Sequence, residues 1–87
     1  MTKLPKGWTI NGSRLVKKFE FESFSEAISF MVRCSFESEK KNHHPVWKNA
    51  YKTVWIELTT HDTGGITQKD YDLANEFQNI YAKFGAT

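Results

Sequence analysis

The sequence predicts an α+β fold: a four-stranded antiparallel sheet with two helices packed on one of its faces, in the order β-β-α-β-β-α. Three observations lead there. Two pairs of strand-like segments are each joined by a very short connection, each pair is followed by an amphipathic stretch with a helix-start signal, and neither hairpin leaves room for a crossover. At 87 residues the chain is read as one domain spanning 1–87.

The first strand is Trp8-Thr9-Ile10, and Asn11-Gly12 after it supplies the positive φ angles of a tight hairpin turn. The return strand runs from Arg14 to Phe21, with Leu15, Phe19 and Phe21 on one face, Lys17 as an exception to that pattern, and Lys18 and Glu20 opposite. Ser23-Phe24-Ser25-Glu26 has the S-x-x-E spacing of a capping box, so a helix starts there. Phe24, Ala27, Ile28, Met31, Val32 and Ser35 form its expected apolar stripe. Continued to Lys41, it is some 18 residues and about 27 Å long. Pro45 is the expected stop, because its ring lacks an amide hydrogen and the preceding residue avoids helical geometry.

The second strand pair is Val46 to Ala50 and Lys52 to Thr59, turning near Tyr51. Val54, Ile56 and Leu58 alternate with Trp55, Glu57 and Thr59, so one face meets the core. The other face, carrying Trp55 and Trp47, is expected to be left for a partner or ligand. Asp62-Thr63-Gly64-Gly65 reads as a loop, and Thr67-Gln68-Lys69-Asp70 opens the second helix, with Ile66 and Tyr71 placed as a hydrophobic staple. Leu73, Ala74, Phe77, Ile80, Tyr81 and Phe84 give that helix its apolar face up to Gly85.

Composition removes several function classes. Twelve Lys and Arg against ten Asp and Glu leave a net charge of +2, and the basic residues are scattered, which is no footprint for direct nucleic-acid binding. The single Cys34 cannot form an internal disulfide, which fits a reducing compartment. No apolar run approaches the roughly 20 residues of a membrane span, and the first residues do not lead into a signal segment. The expectation is a soluble cytoplasmic protein without membrane contact.

Chemistry concentrates in "EKKNHHPVW", Glu39 to Trp47, which sets His43 and His44 side by side before Pro45. Adjacent residues in extended chain point to opposite faces, and Cys34 has no C-x-x-C or H-x-x-x-H companion, so no metal is expected. Strands pairing about Tyr51 place His43 to Pro45 opposite Thr59 to His61, so the three imidazoles converge at one end of the sheet. Such a group suits proton transfer, since an ordinary imidazole pKa of about 6.5 keeps both protonation states accessible. Glu39, one helical turn before His43, and Asp62, next to His61, are candidates to orient the rings.

These residues resemble the pterin-4a-carbinolamine dehydratases. The resemblance is carried by Glu39, "NHHPVW" (Asn42 to Trp47), Tyr51, "TTHD" (Thr59 to Asp62) and "GITQKDYDLA" (Gly65 to Ala74), with "FESFSEAISFM" (Phe21 to Met31) upstream. His61 follows the second histidine by seventeen residues and Asp70 follows nine later, a spacing far more specific than a histidine pair alone. The chain has Val46 where many members are acidic and Asn42 where several have Asp.

The resemblance implies dehydration of a 4a-hydroxytetrahydropterin to the quinonoid dihydropterin, in recycling the pterin cofactor of aromatic amino-acid hydroxylases. It implies His43 and His61 as the acid/base residues and His44 as holding and polarising the substrate. His43, His44, Pro45, Thr60, His61, Asp62 and Thr63 would line the pterin pocket, with Glu39 nearby and Trp47 and Asp70 in support. No metal or organic cofactor is implied, and homodimers or homotetramers are. The alternative is a non-enzymatic protein-interaction module, such as a dimerisation cofactor for a transcription factor.

Overall fold

The computed structural model describes residues 4–84. Six elements follow in order: β1 (Thr9–Asn11), β2 (Arg14–Glu20), α1 (Phe24–Lys41), β3 (Val46–Ala50), β4 (Thr53–Leu58) and α2 (Gln68–Ala82), with a short 3₁₀ turn at His61–Thr63. The four strands form one antiparallel sheet in the order β1-β2-β4-β3, as the hairpin signals require.

One face of the sheet presents Leu15, Phe19, Val54, Ile56 and Leu58, all essentially inaccessible to solvent. Both helices cover it. Helix α2 contributes Leu73, Ala74, Phe77, Ile80 and Tyr81, the stripe its periodicity predicts, with Phe84 half-buried beside them. The helix ends at Ala82 with Lys83 as its cap, before the expected limit at Gly85, which lies outside the described residues. Phe19, Phe21, Phe30 and Tyr81 meet mostly edge to face, with centroids 4.8 to 5.9 Å apart, the geometry that ring quadrupoles favour. Lys17 breaks the pattern of β2 without breaking the core. Its stem lies along this cluster, its ammonium sits 4.7 Å above the Phe19 ring and 5.1 Å from that of Tyr81, and it donates to the Lys6 carbonyl and to Gln78 Oε1.

Helix α1 starts where the capping signal places it. Ser23 Oγ accepts from the Glu26 amide at 3.2 Å, while Glu26 Oε1 reaches back to the Glu22 amide. Its buried face is Ala27, Phe30, Cys34 and Ser38, so of the expected stripe only Ala27 is fully buried, with Met31 partly buried against the core. Phe24, Ile28 and Val32 from that stripe, together with Phe36, stand 36 to 67% exposed in a row four residues apart. The helix carries two apolar sets about a third of a turn from each other, and only one fits the sheet.

Pro45 does not stop this helix. The stop is Asn42, left-handed at φ 50° and ψ 45°, whose amide donates to the Glu39 carbonyl while the His43 amide donates to that of Ser38. This is the Schellman arrangement, and asparagine is one of the few residues that take the left-handed position readily. Pro45 lies three residues on, immediately before β3.

The β3–β4 hairpin closes through the two residues Tyr51 and Lys52, since Ala50 pairs with Thr53. Tyr51 has φ 53°, and the Asn49 side-chain amide donates to the carbonyls of Tyr51 and Thr53 across the loop. The register corrects the expectation for Trp47. It pairs with Ile56 and therefore lies on the helix-covered face, half-buried against the core. The open face carries Val46, Lys48, Trp55 and Glu57, with the Lys48 ammonium 4.6 Å from the centre of the Trp55 ring.

Candidate functional site

Beyond the last paired rung, Val46 with Glu57, the residues His43, His44 and Pro45 line one cleft together with Thr59 and Thr60. Just beyond, the chain turns through His61–Thr63, and the turn is closed by paired backbone hydrogen bonds between Thr60 and Gly65. The result is a cleft of about 430 Å³ lined by all three histidines, with Pro45, Thr60, Asp62 and Lys69 among its other walls. The sheet-end convergence expected from register is therefore present.

The three rings are held differently. His43 is the sheltered one, its side chain 12% exposed, and its Nε2 lies 2.6 Å from Asp70 Oδ1. Asp70 is wholly buried at the third position of α2, where its Oδ2 accepts from the Thr67 amide at 2.8 Å and from Thr60 Oγ1 at 2.7 Å. The Thr67 hydroxyl in turn contacts Thr60 Oγ1. A carboxylate accepts only, so the His43 proton facing it sits on Nε2 and the neutral ring keeps its lone pair on Nδ1. His44 is 56% exposed, and its Nε2 is 3.0 Å from Glu39 Oε1. His61 is exposed at the start of its turn, and its ring has no hydrogen-bond partner among the described residues.

Of the two carboxylates expected to orient the rings, Glu39 meets His44, while the left-handed turn at Asn42 carries His43 toward Asp70 of α2. Asp62 lines the cleft but does not bond His61. The residue that orients His43 is Asp70, which comes from 27 positions away. Thr63 lies outside the cleft wall, its hydroxyl turned to the carbonyls of Thr60 and Gly65, where it braces the turn. Trp47 and Glu39 line a neighbouring cleft instead. Asn42, Val46, Thr59 and Lys69 also line the histidine cleft and were not singled out from sequence as site residues. The register would have pointed to Thr59, and a cap-type asparagine before the histidines to Asn42.

A small sheet domain with a split histidine site at one end, assembled from a helix-to-strand corner and a strand-to-helix turn, defines a class suited to acid/base chemistry on a small ligand. Comparison with known proteins makes this specific. Residues 1–80 match the sequence model of the family described as Pterin 4 alpha carbinolamine dehydratase, and the chain belongs to that family. A protein of Opitutus terrae, provisionally named a pterin-4-alpha-carbinolamine dehydratase, is 51% identical over 76 residues, covering 86% of this chain and 78% of its own. One of Afipia carboxidovorans with the same provisional name is 45% identical over 87 residues, covering 98% and 86%. Among solved structures, a transcriptional coactivator/pterin dehydratase from Brucella melitensis superposes with a TM-score of 0.84 at 36% identity, covering 87% of this chain and 83% of that one. A pterin dehydratase-like protein described as a RuBisCO assembly factor in the alpha-carboxysome has the same fold, with a TM-score of 0.75 at 20% identity over 93% and 96% of the two chains.

Proposed function

We propose that this chain dehydrates a 4a-hydroxytetrahydropterin to the quinonoid dihydropterin and water, with His43 and His61 as the proton-transfer pair. The observation that carries the reading is the buried Asp70 carboxylate fixing the His43 ring in a cleft that His44 and His61 also line. In the reaction the N5 lone pair forms the C4a=N5 double bond as the C4a–O bond breaks. The departing hydroxyl takes a proton and leaves as water, and the N5 proton passes to a base. His43, with its Nδ1 lone pair free of Asp70, suits the role of base, and Asp70 then stabilises the imidazolium that results. His61, unengaged and facing the cleft, suits the proton donor. Turnover exchanges the two protonation states, and proton exchange with solvent restores them for the next cycle.

His44, steadied by Glu39, would hold the pterin ring from the opposite wall. Pro45, Thr60 and Asp62 would shape the pocket around it. Recycling of the pterin cofactor of aromatic amino-acid hydroxylation is the role this chemistry would serve, in the cytoplasm. The test is stopped-flow dehydration of freshly generated 4a-hydroxytetrahydropterin. Acceleration over the spontaneous reaction is expected, and its loss by tenfold or more in both His43→Ala and His61→Ala. Near wild-type turnover in both variants would sink the assignment.

A second reading concerns association. The exposed row Phe24, Ile28, Val32 and Phe36 on α1 is a large apolar strip for so small a protein, and it favours assembly into dimers or tetramers, or a protein partner, through that helix. It uses a surface separate from the histidine cleft, so the two roles are compatible.

A further inference from the structure

The sheet face opposite the helices carries two clefts, of about 290 and 240 Å³, and Trp55 and Glu57 belong to both. The first lies toward β3, with Val46 and Lys48 in its walls. The second lies toward β2 and β1, with Val16 and Lys18 in its walls. We propose that this face docks an extended acidic peptide of a partner protein, which crosses the strands and sets two large apolar side chains, two positions apart, on either side of Trp55.

Ring and backbone dimensions set the spacing. Groups touching the two sides of an aromatic ring stand about 7 Å apart, twice the roughly 3.5 Å of a carbon contact. Side chains at i and i+2 of an extended chain point the same way and lie about 6.6 Å apart. One straight segment therefore fills both clefts. The register supplies apolar surface on each side of Trp55, because Val16 and Val46 both pair with Glu57 in the neighbouring row. Val46 is 56% exposed and Val16 half-buried, so both are open to a ligand.

Charge selects the flanks of the peptide. Lys18 and Lys48 both pair with Trp55 in the register, one from each neighbouring strand. The Lys48 ammonium rests 4.6 Å from the centre of the indole and has no carboxylate partner among the described residues. Lys18 meets Glu20 at 3.3 Å with both side chains more than half exposed, a pairing weak enough to be exchanged for another carboxylate. Lys17 brings a third cation to the wall of the second cleft. Against these lysines the walls hold one carboxylate, Glu57, and Arg14 already engages it. An acidic segment thus finds positive charge beside an apolar ridge. A single-stranded nucleic acid would also offer anions, but its successive bases call for successive stacking platforms, and here the lysines flank one ring.

The test pans a phage-displayed library of random octapeptides on the full chain, then measures the enriched peptides, free in solution, by fluorescence anisotropy against wild type, Trp55→Thr and Lys48→Glu. The expected peptides carry two large apolar residues separated by one position and flanked by Asp or Glu. Their Kd should rise by about tenfold or more in both variants. Lys48 is exposed, so its charge reversal leaves the fold intact even where loss of the half-buried indole does not. No enrichment, enriched peptides without the pattern, or a Kd unmoved by Lys48→Glu overturns the proposal. Trp55-dependent binding of single-stranded oligothymidylate in place of peptides overturns it as well. The dehydratase reading stands apart from all of these outcomes, since of the residues named in the two clefts only Val46 also lines the histidine cleft.

Discussion

Asp70 Oδ1 lies 2.6 Å from His43 Nε2, and the other oxygen of the same carboxylate caps the first turn of α2 through the Thr67 amide. One buried side chain thus fixes both a helix start and the tautomer of an imidazole. Asp70→Asn separates these duties, because a carboxamide has one acceptor oxygen where the carboxylate serves His43 with one atom and Thr60 and Thr67 with the other. The variant should lose about 1 to 3 kcal/mol of stability through its unpaired buried group. It should also lower kcat by about tenfold or more with a smaller change in KM. Nitrogen NMR of the wild-type ring should find the proton on Nε2; a proton on Nδ1 in the neutral ring would contradict the geometry.

The left-handed Asn42 sets where His43 begins. Asn42→Gly should retain stability, since glycine is at ease at φ 50°, while Asn42→Val should cost about 1 to 2 kcal/mol from the clash of its branched Cβ with the backbone. Thermal unfolding of the pair measures this. Equal melting temperatures for the two variants would argue against the Schellman stop.

Cys34 is wholly buried on the inner face of α1, and burial, with the Glu37 carboxylate nearby, pushes its thiol far above the ordinary range. The thiolate is the reactive species, so iodoacetamide should label the native protein only as fast as it unfolds. The linkage sign follows. A folded-state pKa above the unfolded one leaves stability intact below the unfolded thiol pKa of about 8.5 and erodes it as pH rises past that value. Replacing Cys34 with Ala should flatten the alkaline side of a stability profile. Rapid labelling of native protein at neutral pH would contradict the burial.

If the exposed row on α1 mediates assembly, Ile28→Glu with Phe36→Glu should reduce the sedimenting mass toward that of one chain. Both positions are at least 36% exposed, so the folded chain should lose little stability, within about 0.5 kcal/mol for each substitution. An unchanged mass relative to wild type would remove the row from the interface.

Much of this architecture is legible because local signals carry it. Ser23, Asn11-Gly12, Thr67 and the alternation of Val54, Ile56 and Leu58 each act within a few residues. The convergence of His43, His44 and His61 is also legible, since a two-residue hairpin converts sequence distance into spatial opposition. What escapes is choice between equivalents and contact across the chain. Helix α1 offers two periodic apolar sets, and the sheet's shape selects Ala27, Phe30 and Cys34 over Ile28 and Val32. The face of Trp47 follows from exact register rather than from its aromatic character. The Asp70–His43 bond joins two elements 27 residues apart, and the sequence placed Asp70 in support without saying what it holds.

The loop at Tyr51–Lys52 also has a consequence for how this family can vary. Surface turns usually accept insertions freely, but here five rungs of hydrogen-bonded ladder transmit the loop's length to the opposite end of the sheet. A single added residue would slide the ladder, turn Trp47 outward and carry His43 away from Thr60 and Asp70. The turn touches no histidine, yet it works as the gauge block that sets which residues meet in the cleft.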